Sequence, residues 1–223
     1  MAMASRTPLI AVVALVVAAA LGYWAYGIQK KSDTGKTAMA LAQETGRHLQ
    51  ESLTVDPGKP SSEMVQSVGE HAAAAARNLE TLRRLDAGRN RELTDAVDDF
   101  LLTSREILGR QGASFRFRRQ LNASTQALRD HMRADNRTGA WVGEAVQRKE
   151  RVEKDYRDFA SATEALDKLL ESLPASAARL AARSRTAPLV DASLAAEAGK
   201  RTSAALQQAT GELEKIRQLA LPR

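Results

Sequence analysis

The hydrophobic pattern begins with an uncharged run at Pro8–Ile28, PLIAVVALVVAAALGYWAYGI. As a helix rising about 1.5 Å per residue, this run spans about 31 Å, which matches the hydrocarbon core of a bilayer at about 30 Å. Tyr23 and Trp24 lie near its end, and Lys30 and Lys31 follow it. Aromatic residues followed by lysines are typical of a membrane interface. The pattern therefore predicts a transmembrane anchor over this run.

A cleavable signal peptide is the alternative interpretation of the same segment. Its apolar core would be Leu9–Leu21, and the alanines at 18–20 resemble a cleavage site. However, Arg6 is the one charged residue in the leader over residues 1–7, and the apolar stretch continues beyond these alanines. The length and flanks of the segment favour a retained signal-anchor.

One face of the predicted anchor carries small residues at four-residue spacing, namely Ala14, Ala18 and Gly22. Small residues at this spacing let two membrane helices approach closely, so the three form a candidate helix-packing face. Because the segment is rich in alanine, such a ladder also arises by chance.

Residues 29–223 show helical periodicity and predict one helical domain. The segment Asp56-Pro57-Gly58-Lys59-Pro60 interrupts the first apolar stripe, since two prolines and a glycine cannot continue a helix. Ser61 or Ser62 then offers a side-chain cap for the next helix. The predicted helices span residues 32–54, 61–86, 90–134, 139–173 and 188–221.

The fourth of these helices has the most regular pattern, with seam positions that alternate steps of three and four residues. Such a seam is typical of coiled-coil or bundle packing. Lys149 and Thr163 are its polar interruptions, and Pro174 is predicted to end the helix. The seam positions are Val142, Ala145, Lys149, Val152, Tyr156, Phe159, Thr163, Leu166, Leu170 and Leu173. If Lys149 lies on an internal seam, its replacement by leucine should stabilise the domain.

These patterns predict an all-α protein, with a single N-terminal transmembrane helix and then an elongated antiparallel bundle of four to five long helices with coiled-coil-like packing. The absence of cysteine excludes disulfides and thiolate metal sites. Of the net charge of +6, Arg6, Lys30 and Lys31 supply three, which leaves only +3 elsewhere. Lipid headgroups explain that basicity better than nucleic acid does.

Candidate chemistry is sparse in this sequence. His48, His71 and His131 fall on three different predicted helices, without the spacing of a known metal-site motif, so no metal or cofactor is predicted. No catalytic motif is present, and an enzyme is not predicted.

The densest charged feature is a group of arginines around Phe115 and Phe117. Arginine beside aromatic residues can bind a small anion or an acidic partner. The alternative is a solvated helix face paired with acids of the neighbouring helix, and this alternative is favoured. The candidate anion patch consists of Arg110, Arg116, Arg118 and Arg119.

The sequence is thus interpreted as a membrane-anchored, non-enzymatic interaction protein, a scaffold or accessory subunit that contacts lipid and a protein partner or a second copy. The alternative is an extracytoplasmic ligand-sensing four-helix-bundle module that binds a small anion, a layout shared by many bacterial sensory modules. Lys30, Lys31 and Lys36 favour a cytoplasmic domain by simple charge counting. A short leader before one apolar run instead favours a bacterial inner-membrane protein with its C-terminal domain extracytoplasmic.

Overall fold

The computed structural model describes residues 33–85, 90–134 and 140–219, and all regular structure in these ranges is helical. The all-α prediction is therefore confirmed, and the helices pack as a bundle. The five helices are α1 (residues 33–53), α2 (Ser62–Arg84), α3 (Arg91–Arg133), α4 (Trp141–Ser184) and α5 (Ala192–Arg217).

The predicted anchor at 8–28, including Ala14, Ala18 and Gly22, lies outside the described residues. From residue 33 to residue 219, with the two short gaps between the described ranges, no helix has both the length and the apolarity needed to cross a membrane.

Helices α3 and α4 form the antiparallel spine of the bundle. With 43 and 44 residues, each is about 65 Å long at about 1.5 Å per residue. Ser114 and Thr163 hydrogen-bond at 3.0 Å near the middle of the pair. Near the beginning of α3 and the end of α4, the Ser176 hydroxyl donates to Asp99 at 2.8 Å. The two helices are thus in register along most of their length.

Two apolar clusters lie in tandem along this spine. The larger joins α1, α2 and the beginning of α5 to the first half of α3 and the second half of α4. The smaller joins α5 to the opposite halves of α3 and α4, and consists of Leu121, Leu128, Val152, Phe159, Ala205, Ala209, Leu213 and Ile216. The set of packed helices therefore changes along the bundle, because α1 and α2 contribute only to the larger cluster whereas α5 contributes to both.

The segment before α5 packs against α1 where this change occurs. A Cβ atom added at Gly46 would lie 3.3 Å from the Cβ of Leu189, so the glycine permits a close approach. Gln50 donates to the Leu189 carbonyl at 2.7 Å, and Arg201 of α5 donates to the carbonyl of Leu53. These bonds tie the end of α1 to the beginning of α5.

The predicted end of the fourth helix at residue 173 is wrong, because α4 continues through Pro174 to Ser184. An interior proline removes one backbone hydrogen bond and costs about 3 kcal/mol. The apolar stripe continues beyond it, however, and Leu173, Ala177 and Leu180 are all buried in the larger cluster. Burial of these side chains offsets the local cost of the proline.

The last helix begins at Ala192 rather than at the predicted residue 188. Asp191 accepts a hydrogen bond from the Ser193 amide at 2.8 Å and caps the helix. The preceding Val190 is 3% exposed and belongs to the larger cluster, so the non-helical residues before Asp191 place this side chain in the core. By contrast, Ser61 caps α2 as one of the two serines proposed from the sequence.

Candidate functional site

Two histidines and a glutamate meet where α1 packs against α2. His48 and Glu51 are one helical turn apart on α1, which places them on the same face. His71 of α2 lies opposite, with its Nδ1 atom 2.8 Å from Nδ1 of His48. Glu51 Oε2 lies 3.9 Å from His48 Nδ1 and 3.8 Å from His71 Nε2. We refer to these three residues as the His–Glu cluster.

Only one proton fits between two ring nitrogens at this distance, so one Nδ1 must donate and the other accept. Partial burial lowers the pKa of His71, and the adjacent His48 lowers it further, whereas Glu51 acts in the opposite direction. The side chains of His48 and His71 are 15% and 17% exposed, against 46% for Glu51. The imidazoles are therefore held inside the helix interface, while the carboxylate lies at its edge.

The groups around the cluster fix the orientation of its members. Arg47 donates to Oε1 of Glu51 at 2.8 Å, which leaves Oε2 on the side of the histidines. The outer Nε2 atom of His71 lies 3.3 Å from the Ser67 hydroxyl. The outer Nε2 atom of His48 lies 3.9 Å from Glu44 Oε1.

Each member of the cluster places one ligand atom within 4.8 Å of the other two, which is compatible with a shared metal ion. The sequence indicates no shared role for His48 and His71, because the two are distant in the chain and lie on separate helices. The available signal was the His48–Glu51 spacing of three residues, which puts two ligand types on one helix face. The partner from α2 becomes visible only after the helices pack.

The arginines of the candidate anion patch do not share one surface. Arg110, Arg116 and Arg119 are exposed, whereas Arg118 is 1% exposed and is the largest fully buried side chain in the described chain. An anion-binding role therefore stays a prediction for the three exposed arginines only.

Arg118 lies where the two apolar clusters meet. Its Nε donates to the carbonyl of Gly58 at 3.2 Å, in the segment between α1 and α2. Its Nη1 lies 3.5 Å from Oε2 of Glu212 on α5, and its guanidinium lies 5.6 Å from the centre of the Phe159 ring on α4. One side chain of α3 thus contacts three other parts of the bundle.

Lys149, which occupies a polar position of the predicted seam, is partly buried and is not part of the fully buried core. Its Nζ donates to the Arg217 carbonyl at 2.9 Å, at the last residue of α5. A cation at a helix C-terminus is favourable because it meets the negative end of the helix dipole. The charge at this position has a partner that the heptad pattern did not indicate.

His131 and Trp141 join the end of α3 to the beginning of α4. The indole Nε1 donates to the His131 carbonyl at 3.1 Å, and His131 Nε2 lies 3.0 Å from the Trp141 carbonyl. The two rings stack with centroids 5.0 Å apart. These contacts give His131 a structural role, separate from the His–Glu cluster.

Comparison of the chain with protein-family models, with curated proteins and with solved structures gave no match.

Proposed function

We propose that the chain is a membrane-anchored, non-enzymatic interaction protein, a scaffold or accessory subunit of a membrane complex. The anchor in this proposal is the uncharged run at 8–28, which has the length and flanks of a transmembrane helix. Four residues, 29–32, separate it from the first described residue of α1. The beginning of α1 would then stand close to the membrane.

One observation carries the interaction role, namely the position of the exposed apolar side chains. Val142, Val146 and Leu219 are 38%, 39% and 38% exposed, and they are the large hydrophobic residues on the surface of the described chain. Val142 and Val146 are one turn apart, and the bond from Lys149 to the Arg217 carbonyl brings the end of α5 beside this part of α4. Exposed apolar side chains grouped in this way favour contact with another protein.

These residues lie far from the proposed membrane end. The beginning of α1 lies beside the beginning of α3. A Cβ atom added at Gly35 of α1 would lie 3.3 Å from the side chain of Asn90, which immediately precedes α3. Val142 lies at the opposite end of the spine, because α4 begins where α3 ends. The proposal therefore has the anchor at one end of the bundle and the partner at the other.

Membrane attachment is tested by fractionating cells that express the full-length chain, with Leu15→Arg as the altered form. A charge in the middle of a transmembrane run is unfavourable by about 3 kcal/mol. We expect the wild type to resist extraction by alkaline carbonate and the variant to be released. Release of the wild type would overturn the anchor. Reporter fusions after residue 219 would then assign the compartment, which we propose to be extracytoplasmic.

The interaction role is tested by sedimentation and cross-linking of full-length protein extracted in detergent, followed by identification of the cross-linked chains. The altered form is Val142→Ser/Val146→Ser, and the matched control is Val65→Ser on partly exposed α2 surface. We expect a defined complex or homo-oligomer that the double variant weakens and the control leaves intact. A strict monomer without a co-purifying partner would contradict the proposal.

A further inference from the structure

We propose that His48, His71 and Glu51 form a binding site for one divalent transition-metal ion of the zinc type, which links α1 to α2. This inference does not depend on the proposed membrane attachment or on the partner. It rests on the convergence of three ligand atoms from two helices.

The first observation is the direction of the two imidazoles. Their Nδ1 atoms approach to 2.8 Å, so each ring presents this nitrogen to the other across the helix interface. Two nitrogens on one tetrahedral Zn²⁺ lie about 3.3 Å apart, given Zn–N distances of about 2.0–2.1 Å. The rings must therefore separate by about 0.5 Å for an ion to replace the shared proton. Such a shift is within the reach of small side-chain rotations.

The third ligand is already turned towards this volume. Glu51 Oε2 lies 3.9 Å from His48 Nδ1, and a small rotation of this side chain brings the oxygen to a coordinating distance. The rotation is inexpensive because Glu51 is 46% exposed. Arg47 donates to the other oxygen at 2.8 Å, which leaves Oε2 for a metal. The solvent-exposed side of the cluster, where Glu51 lies, also gives an ion and one water access to the site.

The outer nitrogens of both rings face acceptors. When Nδ1 binds a metal, the proton resides on Nε2 and needs an acceptor, which also fixes the ring orientation. Ser67 Oγ lies 3.3 Å from Nε2 of His71, and Glu44 Oε1 lies 3.9 Å from Nε2 of His48. Glu44 in turn accepts a hydrogen bond from the buried amide of Asn78 at 3.2 Å. His71 thus has an outer hydrogen-bond partner of the kind that metal-binding histidines usually have, and Glu44 must move closer to His48 to supply the second.

The donor set decides the class of ion. Two imidazole nitrogens and one carboxylate oxygen suit Zn²⁺, Ni²⁺ and Cu²⁺, whereas Mg²⁺ and Ca²⁺ prefer sites made of oxygen alone. Three protein ligands leave one tetrahedral position for water. Since His48 and His71 belong to different helices, binding would stabilise the α1–α2 pair and slow its local opening.

The test is isothermal titration of the full-length protein with ZnCl₂ after removal of any histidine tag, with MgCl₂ as the comparison ion. We expect one Zn²⁺ per chain, a raised unfolding temperature and no saturable binding of Mg²⁺. We also expect slower amide hydrogen exchange in the second half of α1 and the first half of α2. Absence of saturable one-to-one Zn²⁺ binding would overturn the proposal and leave a hydrogen-bonded histidine pair.

Variants assign the binding to the cluster. His71→Ala and Glu51→Gln should each weaken Zn²⁺ binding at least tenfold. Glu51→Gln changes the ligand without changing the size of the side chain, and residue 51 is about half exposed, so this variant should remain folded. His131→Gln is the matched control, because it removes the histidine outside the cluster and should bind Zn²⁺ like the wild type. Circular dichroism checks that each variant is folded. If Glu51→Gln and a folded His71→Ala bind as tightly as the wild type, the ion lies elsewhere and the proposal fails.

Discussion

Arg118→Ala is the substitution that most directly tests how the two halves of the bundle are joined. The change removes a guanidinium that is 1% exposed, together with its bonds to the Gly58 carbonyl and to Glu212. Removing one partner of a buried ion pair costs about 3–5 kcal/mol, because the other partner is left without compensation. Glu212 is 26% exposed and can take up water. We therefore expect a loss near the lower limit, about 3 kcal/mol.

Urea unfolding followed by circular dichroism measures this loss. With an m-value of about 2 kcal/mol per molar urea, the unfolding midpoint should fall by about 1.5 M. Arg119→Ala is the matched control, because it removes the same side chain from the next, exposed position of the same helix. A surface substitution of this kind changes the free energy of unfolding by no more than about 0.5 kcal/mol.

Two further variants separate charge from packing. Arg118→Met keeps an apolar stem against Phe159, which restores about 1 kcal/mol of the packing lost in Arg118→Ala. It still leaves both the Gly58 carbonyl and Glu212 without their charged donor, so a loss of about 2 kcal/mol is expected. Adding Glu212→Gln to it should recover part of this loss, since the unpaired carboxylate is then gone. Equal midpoints for Arg118→Ala and Arg119→Ala would refute the reasoning, because Arg118 would then contribute no more than a surface residue.

Three other substitutions test features that the structure adds to the pattern. Lys149→Leu should lower the free energy of unfolding by about 0.5–1 kcal/mol, because it removes the cation at the α5 C-terminus; a urea midpoint above that of wild type would show an internal seam instead. Burial raises the pKa of Asp167, so its ionised form costs stability at neutral pH, and this cost disappears as the pH falls through the raised value towards about 4. Asp167→Asn should thus be more stable at pH 7, by no more than about 0.5 kcal/mol, and equal to wild type at pH 3, and a pH-independent difference would contradict this. Pro174→Ala should raise the free energy of unfolding by about 2 kcal/mol, because a restored bond to the Leu170 carbonyl outweighs the greater freedom of the unfolded chain. An unchanged or lower melting temperature for this variant would mean that the helix needs the proline's geometry.

The sequence by itself determined the all-α class, because helical periodicity is a local property of the chain. Steps of three and four residues identify which side of a helix is apolar without reference to its neighbours. For that reason buried positions such as Val152, Phe159 and Leu166 were on the predicted seam and lie in the core. The break at Asp56–Pro60 was visible for the same reason, since proline and glycine act on their own backbone.

Only the tertiary structure decided what polar residues inside or beside the seams do. Pro174 indicates a helix end when only the local sequence is considered. The helix continues through it because the apolar residues Ala177 and Leu180 that follow are packed in the core. Arg116, Arg118 and Arg119 look alike in the sequence, and their different exposure follows from the rotation of α3 against α4 and α5.

The His–Glu cluster shows the same limit most clearly. His48 and Glu51 share a face by spacing alone, but their contact with His71 depends on how α1 and α2 align, a register fixed by apolar contacts elsewhere along both helices. Local pattern determines which residues a helix presents on each face. Only long-range packing determines which faces, and therefore which chemical groups, come together.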